Sequence, residues 1–136
     1  MIRIVRLGNP RHPDEGLRIG TVRRPPRGVP KDQFASRDFY DVWLPTLAPS
    51  EPLLKEALGI AESDERSWQA FVRKYRAEMK DADVSRVLDT LAALSKQTNF
   101  SVGCYCADET RCHRSVLREL LRERGGLVAS NQWLGT

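Results

Sequence analysis

The sequence predicts a single α/β domain, a largely parallel sheet flanked by helices, and three observations carry that expectation. Residues 2–7 are rich in apolar, β-branched residues, and over 100–106 Phe100, Val102, Cys104 and Cys106 fall on one face at period two, as in strands. Between them lie two long segments with apolar residues at helical spacing, which supply the crossover that a parallel return requires. From Ala107 to Arg111 the hydrophobic period changes from two to that of a helix, so a polar loop joins strand to helix there. At 136 residues and 40% hydrophobic content, the chain can close one core over residues 1–136 without disulfides or metal.

Taken in order, Ile2, Ile4, Val5 and Leu7 form the first strand, expected to be buried on both faces inside the sheet and ended by Gly8-Asn9-Pro10. Residues 9–37 carry five of the eight prolines (Pro10, Pro13, Pro25, Pro26, Pro30), which excludes a long helix and leaves mostly loop. Within it, Leu17, Ile19 and Thr21 alternate with Arg18 and Gly20 as a short second strand. Phe39, Val42 and Trp43, stopped by Pro45, read as a short helical turn with Trp43 toward the core. Ser50-Glu51-Pro52 opens a helix over 51–58, with proline where its missing N–H costs little and Gly59 at the far end.

Trp68, Phe71, Val72, Tyr75 and Met79 form one stripe of a helix over 65–80, and aromatics at that spacing read as core rather than as a base-stacking surface. Val84, Val87, Leu88, Leu91 and Leu94 repeat the pattern over 83–96, after Asp81 and Asp83 as capping candidates. The strand at 100–106 leads through the loop to a helix over 113–124 with Val116, Leu117, Leu120 and Leu121 inward. Gly125-Gly126 stops it, Leu127-Val128-Ala129 can add a last short strand, and Trp133 and Leu134 are expected to tuck against the body.

The formal charge of +4 is unevenly spread. Residues 1–37 hold nine Lys/Arg against three Asp/Glu, and the rest hold thirteen against fifteen, that is, +6 followed by −2. Arg23-Arg24-Pro25-Pro26-Arg27-Gly28 sets three guanidinium groups on a proline-stiffened backbone, which lowers the entropy cost of aiming them at phosphate oxygens. A solvated surface explains the same charges. No run of about 18 apolar residues occurs and the first residues are too charged for a signal peptide, so a cytoplasmic protein without membrane contact is expected.

All three cysteines, with His113, lie in Cys104-Tyr-Cys106-Ala-Asp-Glu-Thr-Arg-Cys112-His113-Arg114-Ser115, where a strand's carboxyl end meets a helix N-terminus. Zinc is one reading, but along a strand the period-two repeat sets the Cys104 and Cys106 sulfurs about 6 to 7 Å apart, too far for one ion, so no metal is expected. A thiol reading has Cys112, flanked by Arg111, His113 and Arg114, as the reactive thiolate, with Cys106 as a resolving partner. The loop is not that of the cysteine phosphatases: the position six past Cys104 is Thr110, and six past Cys106 is Cys112, where their signature needs arginine. A third reading uses Arg111, His113, Arg114, Ser115 and the first-turn N–H groups to hold an anion. Its plainer counterpart has His113 and Ser115 capping the helix and Arg114 paired with Asp108 or Glu109.

Cys106 to Cys112-His113-Arg114-Ser115 followed by a leucine-rich helix resembles the uncharacterised YeaO-like family, domain of unknown function 488. So do Ile2-Arg-Ile-Val-Arg, Arg23…Pro26-Arg27-Gly28, Trp43-Leu44 to Leu47-Ala48-Pro49-Ser50, and Trp68…Phe71…Tyr75-Arg76-Ala77-Glu78-Met79. Where the family usually reads Asp-Arg-Leu-Trp-Pro-Arg-Gly, this chain has Val22-Arg23-Arg24-Pro25-Pro26-Arg27-Gly28, without the acid and the aromatic. The resemblance implies a small α/β cytoplasmic domain with no established activity.

The expected site is a basic pocket where the two loops meet. Arg23, Arg24, Arg27, Arg111, Arg114 and Ser115 would hold a phosphate-bearing ligand, a nucleotide or nucleic acid. The alternatives are a small-molecule enzyme using Cys112 or His113 as nucleophile or general base, and a structural interaction domain without ligand. No dinucleotide fingerprint or Walker loop occurs, so no cofactor is expected.

Overall fold

A computed structural model describes residues 1–130; Trp133 and Leu134 lie outside the described residues. Strands β1 (Ile2–Arg6), β2 (Leu17–Gly20), β3 (Val42–Trp43) and β4 (Phe100–Cys104) form one sheet in the order β1-β4-β2-β3, with every pairing parallel. The helices are α1 (Glu51–Leu58), α2 (Glu65–Glu78), α3 (Ala82–Leu94) and α4 (His113–Glu123), with 3-10 turns at Lys31–Gln33, Pro45–Leu47 and Glu109–Arg111. The α/β class, the parallel pairing of the first and last strands, and the four helices agree with the sequence.

β4, not β1, is the interior strand. It pairs with β1 on one side and β2 on the other, and all five of its residues are buried. β1 stands at the sheet's end, half-buried from Arg3 to Val5 and exposed at Arg6, and on its outer side Val128 adds only a parallel bridge to Ile2. Gly103 permits the close fit of β4 to β1, since a Cβ there would sit 2.7 Å from both the Val5 carbonyl oxygen and a Leu7 methyl.

The stretch expected as a helical turn at 38–44 is not helical, and Val42–Trp43 within it form the edge strand β3. Asp41 donates its N–H to the Arg18 carbonyl and Leu44 donates to that of Gly20, and Leu44, preceding Pro45, is held out of the helical region. Trp43 therefore lies 43% exposed, with its indole N–H on the Val22 carbonyl at 2.7 Å, rather than in the core.

The two faces of the sheet are closed differently. Ile19, Phe100 and Val102 meet Leu53 of α1, Trp68, Phe71 and Tyr75 of α2, Leu88 and Leu91 of α3, and Leu117 and Leu121 of α4 in one apolar core. Arg18 and Ser101, register partners on β2 and β4, belong to the opposite face. The proline-rich segment covers that face through a buried polar network. Glu15 accepts from Arg18 Nε at 2.6 Å, from Arg18 Nη2 at 2.9 Å and from Ser101 Oγ at 2.6 Å, while Arg18 Nη1 donates to the carbonyls of Asn9 and Asp38. Both charged side chains are 1% exposed. Gly16, at φ 73°, makes the turn from this segment into β2, where a Cβ would lie 2.1 Å from the Asn99 carbonyl oxygen.

Burial alone would raise the Glu15 carboxyl, but the bonds from Arg18 and Ser101 outweigh it and hold its pKa below the ordinary value. A depressed carboxylate contributes stability above its unfolded pKa and loses it as pH falls through the folded one. Glu15→Gln is expected to cost about 3 kcal/mol at neutral pH, read from urea unfolding, because it leaves Arg18 buried without its counter-charge. The gap between variant and wild type should close in acid.

Candidate active site: three thiols at the end of a pocket

β4 ends at Cys104, and past Tyr105 the chain leaves the sheet. The Tyr105 hydroxyl donates to the Arg24 carbonyl at 2.9 Å, which ties this loop to the arginine-proline segment, so the two loops do meet. Asp108 caps the 3-10 turn by accepting from the N–H and the hydroxyl of Thr110. Cys112 is the N-cap residue of α4, in extended conformation, with the Ser115 hydroxyl donating to its carbonyl.

The bend after Cys104 overturns the expected sulfur spacing. Cys104 and Cys106 are not both on a straight strand; their Sγ atoms lie 3.8 Å apart, and those of Cys104, Cys106 and Cys112 all fall within 4.8 Å of one another. Zinc–thiolate bonds of about 2.3 Å put tetrahedral sulfurs roughly 3.8 Å apart, so the three are close enough for one soft ion. They are one ligand short of a closed four-coordinate shell among the described residues.

Cys112 is 3% exposed, yet it is surrounded by groups that favour its thiolate. The thiols of Cys104 and Cys106 donate toward it, and together with the adjacent His113 they hold its pKa well below the usual thiol value despite burial. Arg114 Nε donates to Cys112 Sγ at 3.4 Å and its Nη2 to the Cys106 carbonyl at 2.5 Å. The free N–H groups at the start of α4 add positive potential. Cys104 moves the opposite way: donation to its two neighbours and burial push its thiol far up. Cys106 is lowered by Cys104 but raised more by its donation to Cys112 and by burial, so it too stays protonated.

His113 is 6% exposed and oriented by a backbone bond. Its Nε2 lies 2.8 Å from the Thr21 carbonyl oxygen, which can only accept, so Nε2 carries a proton and Nδ1 is the nitrogen facing Cys112 Sγ at 3.8 Å. Tyr75 packs edge-on against the imidazole, with ring centroids 5.5 Å apart, and anchors its own hydroxyl on the Leu47 carbonyl.

A pocket of about 300 Å³ reaches these groups, lined by Cys104, Cys106, Cys112 and His113 and walled chiefly by apolar side chains, among them Leu54, Trp68, Phe71 and Tyr105. Of the ligand-binding residues singled out in the sequence, Arg23, Arg24 and Arg111 line it; Arg27, Arg114 and Ser115 do not. Arg23 donates to the carbonyls of Pro45, Ala48 and Pro49 and so fastens the turn before α1. Arg24 pairs with Glu51 at 2.6 Å, and Arg111 pairs with Glu65 at 2.5 Å while lying over the Trp68 ring. Arg27 is exposed, and Arg114 is buried on the thiol cluster. The partner of Glu109 is Arg118, at 2.8 Å, not Arg114. Cys104, Tyr105 and Trp68 join the site without having been assigned to it from sequence.

Because the Cys104 thiol is the foremost group lowering the Cys112 pKa, Cys104→Ala should raise it. A hydrogen bond to a charged acceptor is worth about 1.5 to 3 kcal/mol, or roughly one to two pKa units. The pH profile of Cys112 alkylation in wild type and variant measures the shift.

A family model described as DUF488-N3a, the active DUF488-N3 subclade, matches residues 2–125. No curated protein and no solved structure matches the chain. The matched span runs from β1 through α4 and includes the arginine-proline segment, all three thiols and His113, so the chain belongs to the DUF488 family, in its N3a subclade.

Proposed function

We propose that the protein is a thiol-dependent enzyme acting on a small, largely apolar molecule with an anionic end, with Cys112 as the nucleophile. The observation that carries this reading is the placement of Cys112 Sγ, at the end of a pocket and facing Arg114 Nε, His113 Nδ1 and two other thiols. A thiolate is the nucleophilic form of cysteine, and this set of donors favours it where an apolar wall alone would favour the thiol. His113 Nδ1 is placed to take the Cys112 proton and return it to a leaving group, with the imidazole fixed by its bond to Thr21.

The anionic end follows from the guanidinium groups beside the apolar walls. Arg24 and Arg111 have side chains 59% and 31% exposed, and their partners Glu51 and Glu65 are 46% and 60% exposed. Ion pairs this exposed are screened by solvent and hold weakly, so a phosphate or carboxylate on the ligand can compete for the arginines. A compact molecule with one anionic group suits a pocket of about 300 Å³ better than a polynucleotide.

Peptide mapping after brief treatment with iodoacetamide near neutral pH tests the reading. Cys112 should be modified at least about tenfold faster than Cys104 or the more exposed Cys106, as a lowered thiol pKa requires. Modification led by Cys106, or equal at all three, would refute it.

A further inference from the structure

The cluster holds more thiols than a single nucleophile needs. Cys104 is fixed in the middle strand of the sheet and buried, whereas Cys106 lies just beyond the strand on an irregular segment and is the one exposed cysteine. Its sulfur is within 4.8 Å of Cys112 Sγ. A disulfide needs sulfurs about 2.05 Å apart, so a small movement of the segment carrying Cys106 would close one, without disturbing β4 or α4.

We infer that the cluster carries out thiol–disulfide exchange on low-molecular-weight disulfides, with Cys112 attacking and Cys106 resolving. This rests on Cys112 being the nucleophile, and it names the substrate class. The pocket, at about 300 Å³, admits one arm of a small disulfide but no folded protein.

In the first step the Cys112 thiolate attacks one sulfur of R–S–S–R. The Cys112–S–S–R bond forms, the R–S–S–R bond breaks, and RS⁻ leaves, taking a proton by way of His113 Nδ1. In the second step Cys106 attacks Cys112 Sγ: the Cys106–Cys112 disulfide forms, the bond between Cys112 Sγ and the R sulfur breaks, and the departing RS⁻ takes up the proton given by the Cys106 thiol, leaving as the second RSH. The substrate disulfide gains two electrons as two thiols, and the protein loses two electrons and two protons. An excess of a low-molecular-weight thiol reverses the oxidation by the same exchange and restores the dithiol.

The thiols differ in the sense this sequence needs. Cys112 is the stabilised thiolate and so the readier attacker at neutral pH, while Cys106 and Cys104 remain protonated until a mixed disulfide removes the charge beside them. Arg114 spans the pair, donating to Cys112 Sγ and to the Cys106 carbonyl. Cys104 supports the thiolate as a donor and takes no part in bond exchange.

The test uses the whole chain and 5,5′-dithiobis(2-nitrobenzoate), an aryl disulfide with carboxylates, in slight molar excess over protein. Wild type should release two equivalents of the aryl thiol per chain and lose two hydrogens in mass, with a Cys106–Cys112 crosslink found by peptide mapping. Cys106→Ser should release one equivalent and retain the aryl adduct on Cys112. Cys104→Ser should still release two, and Cys112→Ser should react at least tenfold more slowly. A wild-type protein that keeps its aryl adducts, or a crosslink joining Cys104 instead, would overturn the inference. So would one equivalent of bound zinc or copper in the purified protein, with its thiols closed to the reagent. The wild-type mass needs no variant to fold. If iodoacetamide still selects Cys112 while no crosslink forms, exchange chemistry fails and the nucleophile assignment stands; if that selectivity is also lacking, both fall.

Discussion

Parallel hydrogen bonding of β4 to β1 on one side and to β2 on the other fixes the position of everything chemical in this molecule. It brings the carboxyl ends of three strands to one edge of the sheet, where β4 ends in Cys104, β2 leads into Thr21 and Val22, and β1 leads into Leu7. The Thr21 carbonyl accepts from the His113 ring, Val22 and Leu7 pack beside Cys104 and Cys112, and α4 starts at the same edge, with Cys112 as its N-cap residue. The side chains are then oriented by short-range bonds, chiefly Arg114 to Cys112 and His113 to Thr21.

That arrangement depends on closing a sheet whose helices all pack on one face. The second face is sealed by the Glu15–Arg18–Ser101 network together with a smaller apolar cluster that includes Leu7 and Tyr40. Such a pair has demanding geometry and gives little net stability against a hydrophobic substitute, but removing either half leaves a buried charge. The same bonds pin the proline-rich segment across the sheet, through the Asn9 and Asp38 carbonyls, and so set where Arg23 and Arg24 emerge beside the pocket.

The elements with strong periodicity were legible in the sequence. The aromatic stripe of α2 is buried core, α3 is capped by Asp81 as expected, and β4 and β1 pair in parallel. What misled was two-residue structure and chain direction past an element's end. Val42–Trp43 has helix-like spacing over too few residues to outweigh pairing with β2, and the sequence carries no mark that Arg18 and Gly20 would offer their carbonyls there. The Cys104–Cys106 distance was reasoned from a straight strand, and the strand stops at the first cysteine. Arg114 stands three residues past Arg111, and the sequence does not mark that Arg111 ends a 3-10 turn and lies over Trp68 while Arg114, in the first turn of α4, lies on the sulfurs as a buried thiol partner.

The central claim is that Cys112 is a thiolate at neutral pH, held by its neighbours against burial. Ultraviolet absorbance of the thiolate, followed through a pH titration of wild type and of Cys112→Ser, tests it most directly. The account predicts one equivalent of thiolate in wild type that titrates well below the ordinary cysteine pKa of about 8.5 and is missing from the variant. A first thiolate appearing only at or above that value, or an acid-side step that survives in Cys112→Ser, would contradict it.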